Sequence, residues 1–276
     1  MSPRPTARSR RFHLSETLNT TLSPRRVPLR HGFEWLRDGW RLLVRKPLTW
    51  IVYTFVTWFI VSAAAIHPLL VAAVAVLLPV ILAGWTLACR EAEAGRSIPV
   101  TMLFDGFRGR VADLASIGGL NLLGNVVLMM LMLAIGGEAF TEAMSNPGGL
   151  TPEQAQALQG RMSLALVVIL AIGVPLAMAV WFAPVAVVLD GVRGWVALGA
   201  SLRGIARNSL PFFVYSLLLA LIGLLLFSLA TAMGLTRPAA MELAFWGLMP
   251  LLVTSVYASY RDIFGGNREP EVPVEV

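Results

Sequence analysis

The chain alternates long charge-free apolar runs with short charged stretches. The longest run, Leu48 to Cys89, holds no Asp, Glu, Lys or Arg in 42 residues. As a single helix it would extend about 60 Å, twice the hydrocarbon core of a bilayer. The chain therefore crosses twice there. His67-Pro68 is its polar break, and proline disfavours a continuing helix, so the turn falls at that point. Read this way, the pattern predicts an all-α integral membrane protein of six spans. They fall at about 48–66, 69–88, 114–135, 162–189, 210–235 and 239–260, as three hairpins. Pro79, Pro175, Pro184 and Pro250 lie inside spans and predict kinks, which neighbouring helices tolerate. Residues 1–30 and 263–276 lack apolar periodicity and are expected to be disordered tails, leaving 31–262 as the membrane domain.

Each odd-numbered span follows a segment that reads as an amphipathic helix lying in the membrane plane. In about Phe33–Lys46, the residues Phe33, Leu36, Trp40 and Leu43 recur at helical spacing, with Arg37, Arg41 and Arg45 four apart on another face. In the second, Val100, Leu103, Phe104, Phe107 and Val111 form the row and Arg108 flanks it. In the third, Val192, Trp195, Leu198, Leu202 and Ile205 share a broad apolar face. Gly194, Ala197, Ser201, Gly204 and Asn208 make a small, polar face, and Arg193, Arg203 and Arg207 fall to the side. An apolar face sinks into the headgroup boundary while arginine reaches lipid phosphate, at about 1 kcal/mol per basic residue. Arg37, Arg41, Arg45, Arg108, Arg193, Arg203 and Arg207 are thus candidate contacts to anionic headgroups. Asp38-Gly39, Asp105-Gly106 and Asp190-Gly191 recur in these three segments and suggest an internal repeat of three hairpins.

Composition agrees with membrane insertion. The chain is 57% apolar and 14% charged, against about 45–50% and about 25% in soluble domains. Of its 22 basic residues, 20 fall in the N-terminal region, 90–113, 190–209 and the C-terminal tail. Only Arg161 and Arg237 lie in the opposite connections. Basic residues stay on the cytoplasmic side, so both termini are expected to be cytoplasmic. The same rule accounts for the net charge of +6 without a nucleic-acid partner. One Lys against 21 Arg fits a GC-rich bacterial genome, placing the chain in a bacterial inner membrane.

The span ending at Pro184, Asp190 and Gly191, followed by Ala197, Ser201, Arg203, Asn208 and Phe212, carries a resemblance. Together with Phe104-Asp105-Gly106-Phe107, this text resembles the uncharacterised proteobacterial multi-pass membrane proteins related to YciC. More distantly it is similar to the membrane domain attached to some glycerophosphodiester phosphodiesterases. The motif covers about 30 residues, the hydropathy match most of 31–262. The resemblance implies architecture and no particular activity.

Candidate chemistry is sparse. Glu242 is the acid inside a span, near the outer start of its helix, where the dipole favours it. Asn121 and Asn125 sit one turn apart in the third span. They either line a path for a small solute or headgroup, or bond to neighbouring helices. Cys89 reads as a packing residue, with acylation at the inner interface as the alternative. His13, His31 and His67 have no metal-ligand spacing, and no nucleotide loop or nucleophile motif is present, so no metal, cofactor or enzymatic activity is expected. The expected function is a non-enzymatic inner-membrane protein that interacts with anionic lipid or scaffolds partners. The alternative is a permease for a lipid or apolar small molecule. A closed bundle favours the first, and a cavity around Asn121 and the prolines favours the second.

Overall fold

A computed structural model of the chain describes residues 22–146 and 151–265. Among these, every regular element is helical. The elements are α1 (His31–Arg45), α2 (Pro47–Ala64), α3 (Pro68–Glu93), a 3-10 helix (Val100–Arg108), α4 (Val111–Ser145) and α5 (Pro152–Val168). A π turn (Ile169–Gly173) leads to α6 (Val174–Trp181), α7 (Ala183–Asp190), α8 (Gly194–Arg207), α9 (Ser209–Ala232) and α10 (Arg237–Phe264). Six helical stretches are long and apolar enough to cross a membrane. Proline opens α2, α3, α5 and α10 in the first turn, where its missing N–H costs nothing. Thr151 and Gln154 close a capping box on α5, as Thr151-Pro152-Glu153-Gln154 suggests.

The fourth span is interrupted ahead of both of its prolines. Over 162–189 it runs as α5, a π turn before Pro175, α6 and α7, with the break at Phe182 ahead of Pro184. The third span runs on to Ser145 and kinks at Gly137, whose φ of 60° and ψ of −149° suit glycine alone. Arg161 donates to the Ile135 and Gly136 carbonyls at 3.2 and 3.3 Å, satisfying acceptors that the kink releases.

The tails are shorter than expected. Residues 22–30 are not disordered. Leu22 and Val27 pack on the core, and Asn208 fixes this strap by accepting from the Val27 amide and donating to the Arg25 carbonyl. Ile263 and Phe264 are buried in the last turn of α10. Low apolar periodicity misleads here, because the strap docks through backbone groups and a few side chains. The remainder of both tails, 1–21 and 266–276, lies outside the described residues.

The core sits in the half of the bundle nearest the charged segments. One cluster joins Trp35, Phe182, Phe212, Tyr215, Tyr260 and Phe264, whose rings meet at 4.8 to 6.2 Å. A second joins Trp50, Tyr53, Trp85, Cys89, Leu103 and Tyr257, with Trp50 and Trp85 stacked at 5.7 Å. Cys89 is fully buried there, so it packs and is not presented for acylation. In the other half, side chains such as Leu123, Met130, Leu166 and Leu225 are exposed, as lipid contact allows.

The three pre-span segments share a construction. Each turns a glycine towards the bundle and aromatic or branched side chains away from it. In α1, Gly39 lies against Ser255, where a Cβ would come within 2.7 Å of the Ser255 Cα, while Phe33, Trp40 and Val44 are exposed. In the 3-10 helix, Gly106 lies against the Val80 carbonyl and Phe104 and Phe107 are exposed. This segment is not the α-helix that its spacing predicts. In α8, Gly194 and Gly204 face the bundle and Trp195 and Leu202 point away. Two of the five residues predicted for its apolar face, Val192 and Ile205, are buried in protein instead. The third Asp-Gly also differs from the others. Gly191 adopts the left-handed conformation (φ 65°) as the C-cap of α7, and a Cβ there would meet nothing within 4 Å.

Candidate functional site

A cavity of about 290 Å³ lies between α3, α4, the broken α6–α7 region and α10. Pro79, Leu82, Asn121, Trp181, Pro184 and Met249 are among its lining residues. Its origin is local. Pro79 sits inside the continuous α3 and removes one backbone donor there, and Pro184 follows the break between α6 and α7, so one wall of the cavity is an interrupted helix. The lining is almost wholly apolar. Trp181 adds a buried indole N–H that has no acceptor among the described residues. Such a donor is costly to leave unpaired.

Asn121 borders this cavity, whereas the interhelical bonding expected of Asn121 and Asn125 is not what the pair does. Asn125 donates to the Asn121 carbonyl at 2.7 Å and to its Oδ1 at 3.1 Å, both within α4. The one-turn spacing that made the pair conspicuous is the geometry that lets the two residues satisfy each other. Asn121 is thereby held at the cavity wall.

The seven arginines divide into engaged and available ones. Arg37 and Arg41 both pair with Asp38, at 3.2 and 3.1 Å. Arg108 pairs with Asp105 at 3.1 Å. Arg45 donates to the Ala92 and Glu93 carbonyls, closing the C-terminal end of α3. Arg207 donates to the Pro24 carbonyl at 3.3 Å. Arg193 and Arg203 are exposed and have no hydrogen-bond or ion-pair partner among the described residues. They flank the outward Trp195 and Leu202.

A polar cluster on the same side carries no sequence signal. Asp262 pairs with His31 at 2.6 Å, accepts from the Trp35 indole at 2.7 Å, and pairs with Arg25. Glu93 accepts from the Tyr257 hydroxyl at 2.7 Å and pairs with Arg261. Asp262, Glu93, Tyr257 and Arg261, together with Asp38, Arg41 and Arg45, line a cleft of about 420 Å³. The Trp35–Asp262 contact joins residues 227 positions apart, beyond the reach of any periodicity. The four-residue spacing of Tyr257 and Arg261 is the one trace of the cluster in the chain.

The residues of the Asp-Gly to Phe motif hold the fold together. The Ser201 hydroxyl sits in the break of the fourth span, accepting from the Phe182 amide at 2.9 Å and donating to the Met178 carbonyl at 2.6 Å. Asp190 accepts from the Tyr260 hydroxyl. Asn208 anchors the strap, and Phe212 lies 5.0 Å from the Trp35 ring.

A helical chain with six membrane-crossing stretches and a lipid-facing apolar surface defines a multi-pass membrane protein. It belongs to the family of the probable inner membrane protein BTH_II0599 of Burkholderia thailandensis. The two are 31% identical over 278 aligned positions, covering 90% of this chain and 95% of that protein. The relationship places the chain among bacterial inner-membrane proteins. No protein-family model matches it, and no solved structure matches it.

Proposed function

We propose that this is a non-enzymatic inner-membrane protein that binds lipid, holding an acyl chain in the cavity beside Asn121 and anionic headgroups at its basic face. Arg193 and Arg203, exposed beside outward apolar side chains, carry the reading, and the cavity, expected to favour transport, serves a holder equally. The cavity's apolar walls suit a hydrocarbon chain. Arg193 and Arg203, beside Trp195 and Leu202, supply phosphate contacts at the membrane boundary. In this reading the three pre-span segments lie in the plane of the cytoplasmic interface, each leading into a hairpin, with both termini in the cytoplasm. The outward aromatic rows and the 20-to-2 division of basic residues support that arrangement. The motif from Pro184 to Phe212 supports kinship with the YciC-related proteins, and more distantly with the phosphodiesterase membrane domain. No nucleic-acid partner and no cofactor are part of the proposal.

The experiment is to fill the cavity. Ala75, on its wall, is half-buried. Ala75→Phe should leave expression and thermal stability near wild type but remove lipid that copurifies with the full chain, as read by lipid mass spectrometry. An unchanged lipid complement would overturn the reading.

A second reading, a permease for a lipid or apolar small molecule, is favoured by the cavity around Asn121 and the prolines and by the helix break ahead of Pro184. Breaks of this kind allow halves of a span to move separately. Reconstitution into vesicles with a fluorescent lipid distinguishes them: accelerated transbilayer movement supports the permease, and binding without movement supports the holder.

A further inference from the structure

We propose that the groove between α2 and α10, in the leaflet remote from the arginine-bearing pre-span segments, is a binding site for a phospholipid with an ammonium headgroup, of the phosphatidylethanolamine type. The groove has a volume of about 560 Å³ and lies apart from the cavity beside Asn121. Glu242 marks its outer end, five residues into α10, and Pro250 its inner end. Their separation of eight positions corresponds to about 12 Å of helix rise, enough for the upper half of an acyl chain. Ile51, Phe55 and Leu243 supply apolar walls along that length.

The polar end selects the headgroup. One oxygen of Glu242 accepts from the Trp58 indole at 2.8 Å. No Lys, Arg or His lies within ion-pair distance of Glu242 among the described residues, so its charge has no protein counter-ion. The Trp58 bond orients the carboxylate without neutralising it. Trp58 and Trp246 both line the groove at this end, and aromatic faces attract cations. A carboxylate flanked by two tryptophans above an apolar groove complements an ammonium on a lipid. It repels a headgroup of net negative charge. The helix dipole accounts for the carboxylate being tolerated at the start of α10. It does not account for the groove beneath the carboxylate or the paired tryptophans.

The test uses the full chain in nanodiscs containing equal phosphatidylethanolamine and phosphatidylglycerol, with bound lipid read by native mass spectrometry. Glu242→Gln keeps an acceptor for Trp58 and removes the charge. It should lower retained phosphatidylethanolamine about tenfold, the scale of one hydrogen bond to a charged group, and leave phosphatidylglycerol unchanged. Leu243→Trp, which fills the groove with Glu242 intact, should lower phosphatidylethanolamine as well. Undiminished phosphatidylethanolamine in Glu242→Gln would overturn the proposal, and so would an equal loss of both lipids. Efficient disulfide crosslinking of a Leu243→Cys variant in membranes would also overturn it, by showing the groove covered by a second copy. Ala75→Phe should leave this lipid in place, so failure here and failure of the acyl-chain cavity are separate outcomes.

Discussion

Ser201 mends the helix that breaks at Phe182. Its hydroxyl stands between the Phe182 amide and the Met178 carbonyl, the pair that an unbroken helix would bond directly. The side chain belongs to α8, so one hydroxyl both permits the break in the fourth span and fastens α8 to it. The break in turn forms a wall of the cavity at Trp181 and Pro184.

Ser201→Ala should therefore cost more than a surface substitution. It strands a buried N–H and a buried C=O at once, and each unmade bond costs about 1–3 kcal/mol. Thermal unfolding in detergent should show a markedly lower midpoint. A midpoint equal to wild type would mean that water or another group takes the place of the hydroxyl.

Glycine at the bundle-facing positions should be irreplaceable, and elsewhere it should not. A Cβ at Gly39 would approach the Ser255 backbone to 2.7 Å, while one at Gly119, on α4, meets nothing within 4 Å. Gly39→Ala should destabilise by about 1–3 kcal/mol through overpacking. Gly119→Ala should be neutral or stabilise by up to about 1 kcal/mol, because helical glycine is entropically costly. Equal effects of the two in denaturant titrations would refute the close packing of α1 on α10.

The division among the arginines predicts a division among their variants. An Arg193→Gln, Arg203→Gln double variant should retain its stability but less phosphatidylglycerol or cardiolipin through purification. An Arg37→Gln, Arg41→Gln double variant should retain more of it, since both of those side chains already pair with Asp38. Lipid mass spectrometry of the two proteins decides between them. Equal retention in both would show that protein pairing does not control which arginines reach lipid.

Orientation is open to reporter fusions. A fusion after Asn146 should report the periplasm, and fusions after Gly95 or Gly199 the cytoplasm, given the segregation of basic residues. A single reversed fusion would break the six-span arrangement with both ends inside.

What the sequence by itself determined is the class of protein and the number of crossings. Both depend on transfer of whole side chains from water to hydrocarbon, a property of composition over about 20 residues that needs no tertiary partner. The 42-residue run divided at His67-Pro68 was legible for that reason, and helical spacing alone showed the arginine rows and the small face of the third segment. Which face meets protein was not. Small residues pack closely against helices while exposed aromatic residues face lipid, so apolarity does not distinguish a buried side from a lipid-facing one. Val192 and Ile205 went inward and Trp195 outward on the same predicted face. Only tertiary structure decided that Asp262 gathers His31, Trp35 and Arg25, and that Glu93 meets Tyr257 and Arg261. These are pairings of single polar groups across long chain separations, set by where the helices cross. The cavity beside Asn121 is of the same kind: its prolines are plain in the chain, but a void exists only where α3, α4, the broken α6–α7 stretch and α10 face one another.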